Sequence, residues 1–257
     1  MTTPLRADGA TPQNTPSRQA ERGGIDWLLA VAVLTFVATV VRAVAFTPTE
    51  AIQGPAQKIF YIHAPSAFVG LYLAFGLVAL SGALYLWLRD ERLDRVAAAS
   101  AEVGVVYTTV VLVTGPIWGK PVWGTWWTWD ARLTLTLFLW FVYVGYLILR
   151  GAIDDPATRA RYSAVLGVLG ALLIPFIHLS VYLFRTLHPM PIVLKPDAPS
   201  LPPEMLTTFL MALASMTLLY FALVRARYRL ARLVETLEDD PVAEPSAMTP
   251  LRAEPVR

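Results

Sequence analysis

The chain has 257 residues, 56% of them hydrophobic and only 16% charged, with a net charge of +2 and a mean hydropathy of +0.52. Soluble domains usually carry about 25% charged residues, so a soluble globular fold is excluded. There is no cysteine, which excludes disulfides, thiolate ligands and thioether attachment of a prosthetic group; any metal or cofactor must be held by His, Met or carboxylates.

Residues 1–24 are rich in Thr, Pro, Gly, Gln and Arg and read as a disordered tail. The first apolar run, 25–47, is long enough to cross a bilayer core of roughly 30 Å, which takes about 20 residues. Its Ala43-Val44-Ala45 resembles a signal-peptidase site, but the run is long for a signal peptide's apolar region and no cleavage is expected. A polar loop, 48–63, ends on His63, and a second run follows at 64–88. Pro65 suits the first turn of that helix, placing His63 at its N-terminus, where the helix dipole keeps an imidazole neutral. Arg89, Arg92 and Arg95 come next, then a third run at 97–117 in which Glu102 reads as a snorkelling surface residue. Gly115-Pro116, Gly119 and Pro121 are expected to break this run and turn the chain.

The segment Trp118-Gly119-Lys120-Pro121-Val122-Trp123-Gly124-Thr125-Trp126-Trp127-Thr128-Trp129-Asp130 holds five of the eight tryptophans. An interfacial aromatic belt explains one or two per helix end, not five in one loop. A short helix from about 122 would put Trp123, Trp126, Trp127 and Asp130 on one face at i, i+3, i+4 and i+7, a flat indole platform for a large planar ligand. Asp130 also suits the N-cap of the fourth run, 131–149, or alternatively a pairing with Arg132 that orients the platform. Arg150, Arg159 and Arg161 follow it, then a fifth run at 162–184 containing His178. That residue reads as a polar contact to a neighbouring helix inside the membrane, with support of the ligand site from behind as the alternative. His188 stands in the next loop, held extended by Pro189. The sixth run, 205–224, is followed by Arg225, Arg227, Arg229 and Arg232 and a tail over 225–257.

Six such runs make an all-α, polytopic membrane helix bundle with six transmembrane helices, because helices satisfy their own backbone in lipid. Arginine crowds the ends of runs two, four and six and the approach to run one, whereas the opposite loops carry few cations. The positive-inside rule puts both termini and their tails in the cytoplasm, and the loops at 48–63, 118–130 and 185–204 outside. His63, His188 and the Trp segment then share one membrane level. Two neutral imidazoles on opposite faces of a porphyrin are the axial arrangement of bis-His haem. Its carboxylates would need cationic or N–H donors, for which Lys120, Arg132, Arg185 and a snorkelling Arg42 are candidates. No Gly-rich phosphate loop or nucleotide motif is present, and no nucleic-acid partner is expected.

The Trp segment, continued through Ala131-Arg132-Leu133-Thr134, resembles the tryptophan-rich WWD signature of cytochrome c biogenesis haem-handling proteins. With Lys58-Ile59-Phe60-Tyr61-Ile62-His63-Ala64-Pro65, Ile177-His178-Leu179-Ser180-Val181 and Thr186-Leu187-His188, the chain looks like the short six-helix CcmC branch over roughly 45–224. The resemblance implies a multi-pass protein of the bacterial inner membrane that binds haem b non-covalently at the periplasmic face. On it, His63 and His188 are the axial ligands, and Trp118, Trp123, Trp126, Trp127, Trp129 and Asp130 form the platform. It further implies delivery to a periplasmic haem chaperone, with an ABC-type ATPase, its membrane subunit and a small single-span subunit as partners, and transfer rather than enzymatic turnover. Three rivals stand beside it: a membrane redox protein with an intramembrane b-type haem, which would want paired histidines inside the helices; a transporter subunit for another substrate, for which the central helices show few charges; and a purely structural membrane subunit, which leaves the Trp loop unexplained.

Overall fold

The computed structural model describes residues 26–193 and 195–238. The expected tail at 1–24 and the end of the chain beyond 238 lie outside the described residues. Six helical spans, each long and apolar enough to cross a membrane, run Trp27–Phe46, Pro55–Leu88, Glu91–Trp123, Ala131–Ala152, Pro156–Leu183 and Pro203–Leu237. No strand occurs among the described residues.

Helix α1 (Trp27–Val41) starts on an Asp26 cap that accepts from Leu28 and Leu29 N–H, and ends in a π turn, Arg42–Phe46. Lys58 Nζ donates to the Ala43 and Val44 carbonyls at 2.9 and 3.1 Å, satisfying acceptors that a helix end leaves open. The second span is composite: a 3₁₀ turn (Pro55–Ile59), α2 (Phe60–Phe68), a π turn (Val69–Ala74) and α3 (Phe75–Leu88). It begins earlier than its apolar run, so His63 lies inside α2 rather than ahead of it. Helix formation there needs only backbone bonds; hydrophobicity marks where lipid begins.

Helix α4 runs unbroken from Glu91 to Trp123, through both Pro116 and Pro121. This corrects the expected break at 115–121: a membrane bundle tolerates helical proline because neighbours re-satisfy the freed backbone groups. The reversal comes instead at Gly124, whose φ of 78° lies in the left-handed region that glycine enters freely. The expected surface helix from 122 does not form either. Trp123 closes α4, and residues 125–130 are non-helical up to the start of α5 (Ala131–Ala152). The fifth span divides into α6 (Pro156–Ala171) and α7 (Leu173–Leu183), with Pro175 in the first turn of α7, where its missing N–H costs nothing. Helix α8 spans Pro203–Glu238, continuing well past the last apolar residue of run six.

The core forms where α3 meets α4 and α6, and where α1 and α2 meet α8. Phe75 stacks on Tyr143 at 3.7 Å, and the Tyr143 hydroxyl donates to the Gly167 carbonyl at 2.9 Å. One end of the bundle is ionic. Arg150 grips Asp94 through two bonds of 2.6 and 2.9 Å, Arg95 meets Glu235 at 2.9 Å, Arg225 meets Asp26 at 3.1 Å, and Arg227 pairs with Glu102. Glu102 is thus paired rather than simply snorkelling. The opposite end carries the histidines and tryptophans around a cavity.

Candidate functional site

A cavity of about 840 Å³ opens between α2, α4, α5 and α7 and the loops above them. Ligand pockets usually measure about 300–1,000 Å³, so this one suits a large ligand. His63, His188, Trp118, Trp123, Trp126, Trp127 and Arg132 all line it, and so does His178. Trp129, Asp130 and Lys120 do not. Trp129 is 76% exposed and meets Trp127 edge to face. Lys120 Nζ donates to the Gly124 carbonyl at 2.9 Å, holding the end of α4. Arg42 donates to Thr208 Oγ1 at 3.2 Å, and Arg185 is exposed off the cavity wall. Of the four proposed cations only Arg132 lines the cavity.

His63 is buried and its surroundings fix its tautomer. Its Nδ1 lies 3.0 Å from Thr114 Oγ1. The single proton of that hydroxyl is already given to the Val110 carbonyl at 2.6 Å, so Thr114 accepts and His63 Nδ1 carries the proton. The Nε2 lone pair is left free, with no hydrogen-bond partner among the described residues. Gly115 makes the room: a Cβ there would stand 3.3 Å from His63 Cε1. Trp118 meets the His63 ring at 5.7 Å, edge on, and its Nε1 donates to Gln53 Oε1 at 3.0 Å. Gln53 is presented by a tight turn in which the Gly54 N–H bonds the Glu50 carbonyl at 3.0 Å with φ of 61° at Gly54.

His188 reaches the same state by other means. Its Nδ1 lies 3.1 Å from the Pro189 carbonyl, which can only accept, so Nδ1 is again protonated and Nε2 free. Desolvation, and then the Arg132 guanidinium, hold its pKa down at about 3, so the ring is neutral at physiological pH. Its own N–H donates to Thr186 Oγ1 at 3.1 Å, and Thr186 in turn donates to Asp130 Oδ2 at 2.7 Å. Asp130 Oδ1 meanwhile caps α5 through Leu133 N–H at 3.0 Å. His178 differs from both: its Nδ1 lies 2.8 Å from the Tyr72 hydroxyl, which can donate or accept, so its tautomer is not fixed. It bonds a neighbouring helix and borders the cavity as well.

Thr114 and Gln53 are absent from the sequence reading, and Thr186 enters it only as a member of the Thr186-Leu187-His188 motif, with no role given to it. Only Thr186 left a signal, because a threonine two residues before a histidine can bond its backbone N–H. The chemistry of the wall fits a porphyrin. Two imidazoles present free Nε2 atoms, as iron ligation requires; indoles offer apolar faces. Trp127 Nε1 is a buried donor without a partner among the described residues, and Arg132 adds a cation.

A family model described as Heme exporter protein C matches residues 10–241. Three proteins of that name illustrate the likeness. One from Haemophilus influenzae is 37% identical over 76% of this chain and 79% of its own length. Another from Bradyrhizobium diazoefficiens is 36% identical over 83% and 82%. A third from Escherichia coli K12 is 38% identical over 64% and 66%.

Proposed function

The chain belongs to the Heme exporter protein C family, and from that premise we propose that it binds haem b non-covalently between His63 and His188, at the periplasmic face of the bacterial inner membrane, and passes it to a periplasmic haem chaperone for cytochrome c maturation. A role in haem handling follows from the names of its relatives. The finer reading is carried by one observation: two histidines from distant parts of the chain border one cavity, each with Nδ1–H committed to an oxygen and Nε2 free. A hydrogen bond at the far nitrogen orients a ligating imidazole and raises its basicity.

Bound haem would supply an iron and a flat apolar ring bearing two carboxylates. This chain's residues do the rest. His63 and His188 would hold the iron, Trp118, Trp123, Trp126 and Trp127 would cover the ring, and Arg132 with Trp127 Nε1 would receive carboxylate. Trp129, exposed beside Trp127, belongs to the platform's outer rim, where a receiving protein would arrive. Lys120 and Asp130 act one step back, by holding the α4 end and the α5 start. Binding and transfer, not turnover, are the work of such a site. An ABC-type ATPase with its membrane subunit and a small single-span subunit are the proposed partners. Arginine asymmetry supports the orientation, with both termini and the ionic end cytoplasmic.

The test is the absorption spectrum of the purified protein. His63→Ala and His188→Ala should each lose the low-spin bis-His spectrum and abolish delivery, whereas His178→Ala should keep ligation. Loss of haem in His178→Ala alone would favour the redox reading with an intramembrane haem. Reporter fusions after Arg92 and Arg159 should read cytoplasmic, and those within 50–60 and 192–200 periplasmic. The reverse pattern would sink the delivery reading.

A further inference from the structure

We infer that Thr186 is the positioning residue of the second axial histidine, acting through a one-way hydrogen-bond chain, His188 N–H to Thr186 Oγ1–H to Asp130 Oδ2, that locks the His188 loop to the tryptophan loop. The inference rests on the reading of His188 as an iron ligand and deepens it.

Direction follows from elementary donor counting. Asp130 is a carboxylate and can only accept, so the 2.7 Å contact uses the single proton of Thr186. The Thr186 lone pairs then remain to accept the His188 N–H at 3.1 Å. That second bond closes a tight turn over Thr186, Leu187 and His188 of the kind threonine forms two residues ahead of an N–H. The turn needs such a tether. His188 lies on an irregular segment between α7 and α8, whose first regular helical residue is Pro203, whereas His63 is held within a helix. A side chain on a loop is less precisely placed than one on a helix unless its support is fixed. Asp130 supplies the fixed point, because Oδ1 is anchored by the α5 N-terminus at Leu133. One carboxylate therefore joins three parts of the site: the loop bearing Trp126 and Trp127, the turn bearing His188, and the helix that starts beside Arg132. The structural chemistry splits its two oxygens between these tasks, which makes them separable by mutation. Asn at 130 keeps an oxygen for the cap, since Asn and Asp cap equally well, but replaces the second acceptor with an amide N–H₂. Val at 186 keeps the shape of threonine and removes the hydroxyl.

The experiment uses the full chain in detergent, with and without haem. In the haem-loaded protein, added imidazole is titrated to displace the His188 ligand. Thr186→Val removes the hydrogen bond to the Asp130 carboxylate, a charge-assisted and therefore strong one, and should lower the imidazole midpoint by about tenfold or more. Asp130→Asn should do the same, and the double variant should be no worse than either single one, because both break one chain. Thr186→Ser should restore the wild-type midpoint. In the haem-free protein the amide of His188 should exchange with solvent at least tenfold faster in Thr186→Val than in wild type or Thr186→Ser. A Thr186→Val midpoint within twofold of wild type, in a preparation where His188→Ala loses the low-spin spectrum, overturns this inference and leaves the ligand reading standing. Retention of that spectrum by His188→Ala overturns the ligand reading and this inference with it. If Thr186→Val does not fold, Asp130→Asn and Thr186→Ser decide: an Asp130→Asn midpoint within twofold of wild type, or a Thr186→Ser midpoint shifted as far as Asp130→Asn, overturns it.

Discussion

The two ends of the bundle treat charge in opposite ways. At the ionic end every named arginine has a carboxylate: Arg150 with Asp94, Arg95 with Glu235, Arg225 with Asp26, Arg227 with Glu102. At the cavity end Arg132 has no salt bridge among the described residues, the imidazole nitrogens that could bind metal are free, and a Trp127 donor is buried without a partner. Arg95 Nε and Arg159 Nε are unpartnered among the described residues as well, so it is the cation and the free imidazole nitrogens gathered on one cavity wall, rather than a lone unsatisfied donor, that mark a place where something else binds. Helix α4 joins the two, from Asp94 near its start to Trp118 and Trp123 near its finish, over about 44 Å at about 1.5 Å per residue. Stability should therefore track one end and function the other.

The largest expected effect breaks that comparison most directly. His63→Ala and His188→Ala should abolish the bis-His spectrum while leaving the unfolding temperature of the haem-free protein close to wild type; a collapse of stability in both would make the histidines structural. Next in size is the ionic end. Asp94→Ala leaves the half-buried Arg150 without its carboxylate, which should cost about 1–3 kcal/mol, seen as earlier thermal unfolding in detergent with an unchanged haem spectrum. A lost spectrum at full stability would show the two ends to be coupled. A smaller effect is expected at the platform. Aromatic contacts add about 0.5–1.5 kcal/mol beyond area burial, so Trp126→Ala or Trp127→Ala should weaken haem binding about tenfold or less, with the bis-His spectrum retained and transfer impaired. Full occupancy and normal transfer after both changes together would reduce the cluster to an interfacial belt.

The smallest effect is on pH. With His188 held near 3 in the folded protein against about 6.5 unfolded, the folded state refuses a proton that the unfolded state takes. Its contribution to stability is complete above pH 6.5 and is lost as pH falls toward 3. The haem-free wild type should thus lose stability between pH 6.5 and 5 slightly faster than His188→Gln; equal slopes would place the ring in water.

The spans were legible because their apolar runs have nothing polar to hide, and the arginine pattern was legible because charge stays at the membrane edge. The ends of the elements were not. Pro116 and Pro121 read as breakers by rules drawn from water, where a freed carbonyl has solvent to turn to and the helix can end. Run six ended at 224 on hydrophobicity, yet α8 continues because Arg225, Arg227 and Glu235 find partners on the opening turns of α1 and on α4. In the site, His63, His188, Arg132 and four tryptophans could be named from residue type alone. What holds them could not. Thr114 and Gln53 look like ordinary polar residues, and their importance lies in contacts 51 and 65 positions away in sequence.

Gly115 shows how differently one position is valued by the helix and by the ligand. For the helix, alanine would be better by about 1 kcal/mol, and a search for stabilising changes would choose that exchange early. For His63, the same methyl would arrive 3.3 Å from Cε1, closer than ordinary van der Waals contact, and the imidazole or α4 would have to give way. Glycine before Pro116 also avoids the clash that proline imposes on a preceding Cβ. Optimising this protein for robustness and optimising it for its cargo would therefore pull the same codon in opposite directions.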